Sequence, residues 1–120
     1  MAVVAAWILV TLGAGHIVVG LVRFKKPLAE AMRAGFVGQF VGDRDRLTAF
    51  WFMIFGPLLV ISGHTAVHAA TAADGELLKI IGFYLLAIGA GGSLALPKSP
   101  FWAGLVSALI LIGAGYGWIL

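Results

Sequence analysis

The chain has no cysteine and very little charge. Without cysteine there is no disulfide, no iron–sulfur cluster and no thiolate zinc site, and cysteine usage says nothing about redox compartment. Only 11% of its 120 residues are charged, against about 25% in an average soluble domain. A chain this short has a high surface-to-volume ratio and in water would need more polar surface than that. Acid is scarcest: Glu30, Asp43, Asp45, Asp74 and Glu76 are the whole supply, and each lies between apolar runs. A Ser–His–acid arrangement inside a run is thereby excluded. The sequence also lacks a P-loop, a Gly-x-Gly-x-x-Gly and a His-Glu-x-x-His pattern, which removes the common nucleotide-binding and zinc-hydrolase signatures.

What remains is 62% hydrophobic, with a mean hydropathy of +1.07. A helix crosses a hydrocarbon core with about 20 apolar residues. Four runs reach that length, at about 2–22, 48–70, 77–96 and 101–120. The expected fold is all-α: a single polytopic membrane domain over residues 1–120, built as a four-helix bundle. The first run lacks the basic leader of a signal peptide and is too long for its apolar segment, so it is expected to be retained as a span. Lys79 is the one charge inside a run, near an end where its stem can snorkel.

Charge placement sets an orientation. Arg23, Lys25, Lys26, Arg33, Arg44 and Arg46 share the first connection, Lys98 lies in the third, and only Lys79 lies on the opposite side. Basic residues stay cytoplasmic, so both termini are expected outside and the net charge of +3 reflects topology rather than nucleic-acid binding. Within the first connection Leu28, Met32, Phe36 and Phe40 recur every four residues after Pro27. That spacing predicts a short amphipathic helix on the inner leaflet; a lid or partner-docking element is the alternative. Asp43-Arg44-Asp45-Arg46 is placed to cap and anchor the second span. Gly56-Pro57 is expected to loosen or kink that span, and Pro97 and Pro100 to end the third and delay the fourth.

Small residues cluster in every run, at 13–15, 62–63, 89–92 and 113–115, and Ala6, Gly13 and Gly20 form a stripe at seven-residue spacing. Small residues allow close backbone approach, so these are expected helix contact faces. Trp51, Phe50 and Phe52, with Phe101 and Trp102, mark one membrane boundary, and Trp7 and Trp118 the other.

His16, His64 and His68 are the histidines at membrane depth. An ionisable side chain there needs a partner or a function. His16, flanked by Gly13, Gly15 and Gly20, is the candidate for a small-ligand site formed by His16, Gly13 and Gly20, or else for close packing against a neighbouring helix. His64 and His68 share a helix face at i and i+4 and could bind a metal with Asp74 or Glu76; His64 could alternatively ligate haem with a residue elsewhere. Interhelical hydrogen bonding by His64 and interfacial solvation of His68 is the plainer account. Six residues at 1.5 Å each put His16 and His64 about 9 Å deep from opposite faces, so the three rings do not form one triad.

The segments AFWFMIFGPLLVISG (49–63) and LLKIIGFYLLAIGAGGSLALPKSPFW (77–102) carry a resemblance. With Gly15-His16, Gly20, the Ala49–Phe52 run followed by Phe55-Gly56, and Pro97, Ser99, Phe101 and Trp102 at a corner, the chain resembles a family of small bacterial membrane proteins known as a domain of unknown function. The resemblance implies a multi-pass protein of the bacterial cytoplasmic membrane and brings no activity; His64 and His68 lie outside its pattern.

Three functions are open on these grounds. The first is a non-enzymatic binding or accessory module for an apolar ligand or a membrane partner, with no cofactor, whose partners are the bilayer and a homo-oligomer or larger membrane complex. The second is a transporter of the small multidrug-exporter size class, with His16 standing where such exporters use a carboxylate. The third is a haem- or metal-binding redox protein using His64. Because the chain is free of cysteine, single introduced thiols report sidedness directly. Lys26→Cys and Lys98→Cys should resist an impermeant maleimide added to intact cells, and Ala73→Cys should react; the opposite pattern overturns the orientation.

Overall fold

A computed structural model describes residues 1–119. It contains five helices and, among the described residues, no strand: α1 (Ala2–Arg23), α2 (Lys25–Arg33), α3 (Arg44–Thr71), α4 (Gly75–Ala95) and α5 (Phe101–Gly115). Three of them, α1, α3 and α4, are long and apolar enough to cross a membrane; α5, at 15 residues, is shorter.

Helix ends are set by local chemistry, and here several expected limits move. Asp43 accepts a hydrogen bond from the Arg46 amide at 3.1 Å, the N-cap to N3 bond that satisfies one free donor of a first turn. This starts α3 at Arg44, four residues before the expected Thr48. Asp74 does the same for α4, accepting from the Leu77 amide at 3.0 Å. Three C-termini share one geometry, in which paired amides return to carbonyls of the last turn around a residue of positive φ. At α2 the Phe36 amide bonds to Ala31 O and that of Gly35 to Met32 O, with Gly35 at φ 103. At α3 the Asp74 and Ala73 amides bond to Ala69 O and Ala70 O, with Ala73 at φ 54. At α5 the Trp118 and Gly117 amides bond to Gly113 O and Ala114 O.

These stops correct two expectations. The amphipathic stripe does not continue through Phe36 and Phe40, because α2 ends at Arg33 and Phe36 itself sits at φ 69. The fourth run does not stay helical to its end, because α5 closes at Gly115 with Gly117 at φ 77; Leu120 lies outside the described residues. α3 runs unbroken through Gly56-Pro57, with Pro57 on its exposed side.

The chain divides into two compact units, one from Thr11 to Val60 and the other from Met1–Val10 with the chain from Ile61 onward. In the first, the later part of α1 packs antiparallel to the early part of α3. A Cβ placed on Gly13 would stand 2.7 Å from the Val60 amide nitrogen and 2.8 Å from the Gly56 carbonyl oxygen. One placed on Gly56 would stand 3.1 Å from the Gly13 oxygen. In the second unit Gly63 of α3 meets Val10 and Ala6 in the same way. There α4 and α5 also run antiparallel, with Gly75 against Gly115, Gly82 against Ala108 and Ile112, and Gly89 against Leu105. Gly75, Gly82 and Gly89 repeat every seven residues, the spacing that keeps one stripe on a partner helix. The core of this unit is alanine and leucine: Ala2, Ala5, Ala6, Leu9, Ala66, Ala69, Leu78, Leu85, Ala108 and Leu111.

Two substitutions at glycines separate contact from propensity. Gly82→Val should destabilise by roughly 1–3 kcal/mol through overpacking, since its Cβ would lie 3.1 Å from backbone atoms of α5. Gly91→Ala, with nothing within 4 Å, should instead stabilise by up to about 1 kcal/mol through helix propensity. Ala73→Gly should also stabilise, by about 0.5–1 kcal/mol, since it relieves a left-handed alanine at some cost in unfolded-chain entropy. Thermal unfolding in detergent, followed by circular dichroism, checks all three.

Candidate functional site

His16 lies in the Thr11–Val60 unit, half-buried on α1. Residues 16, 20 and 24 share one helix face at four-residue steps. Gly20 has no side chain, and the space is taken by Phe52 and Met53 of α3. The Phe52 ring therefore sits between His16, stacked on it with centroids 3.9 Å apart at 16°, and Phe24, whose centroid is 5.0 Å away. Phe55 meets the other aspect of the imidazole edge-on at 5.3 Å.

The imidazole also makes a polar contact suited to its half-buried position. His16 Nε2 lies 2.9 Å from the Phe52 carbonyl oxygen. A carbonyl only accepts, so Nε2 carries the proton and donates. A half-buried imidazole thus holds one helix to the next by a stack and a hydrogen bond to the same residue. Gly13, one turn before His16, receives Val60 and the Gly56 backbone. Gly15, the third flanking glycine, faces open space. Of the three residues proposed for a ligand site, Gly13 and Gly20 are filled by the chain's own side chains and His16 is engaged.

His64 and His68 are in the other unit, exposed on the outward side of α3 with Ile61. The acids expected nearest to them are committed elsewhere: Asp74 caps α4 and Glu76 pairs with Lys79. Among the described residues no three His, Asp or Glu side chains converge as a metal set. Thr65 and Thr71 donate to the carbonyls of Ile61 and Val67, at 2.8 and 3.0 Å, so their hydroxyls serve the helix itself. Lys79 lies with its ammonium 4.7 Å from the centre of the Tyr116 ring, and Tyr116 stacks on Trp118 at 4.8 Å. Gly115 leaves room for the lysine stem.

Phe52 and Phe24 were not singled out in the sequence as partners of His16. A signal existed: a ring at 52 needs a hole, and His16-x-x-x-Gly20-x-x-x-Phe24 is the spacing of one. Replacing His16 with Leu should remove the hydrogen bond and cost about 1 kcal/mol of stability in detergent melts. Nitrogen-15 spectra of the unaltered protein should report the Nε2–H tautomer, and an Nδ1–H signal would contradict the bond.

Residues 1–117 match a family of unknown function (DUF6463), and the chain belongs to it. No curated protein and no solved structure matches the chain.

Proposed function

We propose, for this member of the family, an integral protein of the bacterial cytoplasmic membrane. In this reading α1, α3, α4 and α5 cross the bilayer, α2 lies at the cytoplasmic surface and both termini are outside. Its role is that of a non-enzymatic binding or accessory module whose ligand is a membrane-embedded partner. The observation that carries the membrane part is the direction of the large apolar side chains. Val4, Trp7, Val18, Val19, Leu58, Ile61, Ile80, Leu94, Val106 and Leu109 are exposed, while the core is built largely from alanine. Each Leu, Ile or Val left in water forgoes roughly 1.5–3 kcal/mol of burial, a deficit that lipid removes.

The choice of a partner over a small ligand is supported by the filled notches at Gly13 and Gly20 and by the engaged Nε2 of His16. A proton-coupled exporter needs its coupling group turned toward a substrate path, and His16 is stacked on Phe52 instead. The redox alternative retains one supporting observation, the joint exposure of His64 and His68 on one helix side, where a group carried by another chain could reach them. α5 is short for a span, and Tyr116 with Trp118 at its end is suited to the interfacial zone.

Carbonate-resistant membrane association and a strict detergent requirement are expected. So is copurification of one fixed polypeptide, a second copy of this chain included, at constant stoichiometry. Release into buffer without detergent overturns the membrane reading. Proton-driven uptake of a cationic dye that disappears in His16→Ala would favour the exporter, and a Soret band lost in His64→Ala the redox protein.

A further inference from the structure

One surface is not explained by helix packing. Around Phe24 the backbone leaves helical geometry, at φ −107 and ψ 24, between the end of α1 and the start of α2. An open cleft of about 480 Å³ lies there, lined by Val22, Arg23, Lys25, Lys26, Ala29, Glu30 and Arg33. Four of the seven lining residues are cations and one is an acid. The acid offsets one of the four cations, so the lining keeps a positive excess. Glu30 is drawn to Arg46, 3.9 Å away, which also lies 3.8 Å from Asp43 and bonds to Gln39 through both its backbone and side-chain oxygens at 3.4 Å. Among the described residues no salt bridge involves Arg23, Lys25, Lys26 or Arg33. Arg23 rests against the Phe24 ring, 5.7 Å from its centre, which leaves its charge unneutralised.

We propose that this cleft binds a phosphate-bearing anionic group, namely the headgroup of an anionic phospholipid. Four positive charges in one cleft match phosphate, and arginine adds a planar donor fork suited to its oxygens. The apolar lining decides between sources. Val22, 74% exposed, and Ala29 lie beside the cations. A free phosphate has no use for them, whereas the glycerol and first methylenes of a lipid do. The inference rests on the membrane reading above, in which this connection meets the anionic cytoplasmic leaflet.

The test uses the full chain in nanodiscs of mixed phosphatidylcholine and phosphatidylglycerol, with retained lipids counted by native mass spectrometry after extraction. The unaltered protein should retain phosphatidylglycerol in preference to phosphatidylcholine. At about fivefold per basic residue, Lys26→Gln with Arg33→Gln should weaken that preference about twenty-fivefold, and Lys26→Arg with Arg33→Lys should keep most of it. Arg44→Gln removes a cation of the same connection that does not line the cleft, and should leave the preference unchanged. A loss of about fivefold or more in Arg44→Gln, as a general surface charge would give, or no preference in the unaltered protein, overturns the proposal. Inorganic phosphate is titrated in parallel: saturable phosphate binding, lost in the double Gln variant and unaccompanied by lipid retention, would overturn the lipid as source. Helical circular dichroism of each variant separates lost binding from lost folding. If the protein requires detergent but shows no headgroup preference, the cleft assignment falls alone; if it requires none, the membrane reading falls first.

Discussion

Two helix backbones approach most closely where at least one of them carries no side chain, and that condition organises this protein. At Gly13 and Gly56, at Gly63 and Ala6, and along Gly75, Gly82 and Gly89, backbone atoms of the partner helix come close, beside side-chain carbons of Val60, Ile17, Val10 and Ile112. Helix pairs built so gain many short van der Waals contacts and weak Cα–H···O contacts. The composition follows from this. Alanine occupies most of the core of the unit containing α4 and α5, and the bulky aliphatic residues are free to face outward. In a soluble helical protein the two groups would exchange places.

His16 is a consequence of the same rule. Once Gly20 opens a hole on α1, a large ring from α3 can fill it, and Phe52 does. The neighbouring positions on that face then become walls of the hole, and His16 and Phe24 are those walls. An imidazole is a better wall than phenylalanine because its Nε2–H reaches the Phe52 carbonyl. The ring with the most obvious catalytic chemistry in the sequence is therefore occupied in holding two helices in register. His64 and His68 differ from it: they face outward, where another molecule can meet them.

Several charged residues act at helix ends and connections. Asp43 and Asp74 start helices, and Arg46 gathers Glu30, Asp43 and Gln39 around one guanidinium. Glu30 also lines the neighbouring cleft, where four cations outnumber it.

Length and hydropathy were enough to find the helices, since an apolar run of about 20 residues has few other fates. The Ala6, Gly13, Gly20 stripe was legible as a contact face because seven-residue spacing is visible along a chain. The stripe of Gly75, Gly82 and Gly89 was equally legible, but the local cluster at 89–92 concealed it. Three features were not legible. The end of α2 at Arg33 depends on backbone dihedrals near Gly35 that outweigh a four-residue apolar repeat. The premature end of α5 depends in the same way on Gly117. The partner of His16 lies 36 positions away, and no local pattern encodes which residue of another helix will fill a given hole. By itself, then, the sequence determined which segments are helical and which faces are small, because both are properties of neighbours along the chain. Only the tertiary structure decided that the glycines beside His16 admit a phenylalanine and a methionine of the protein itself, because the occupant of a gap is chosen by the register between helices.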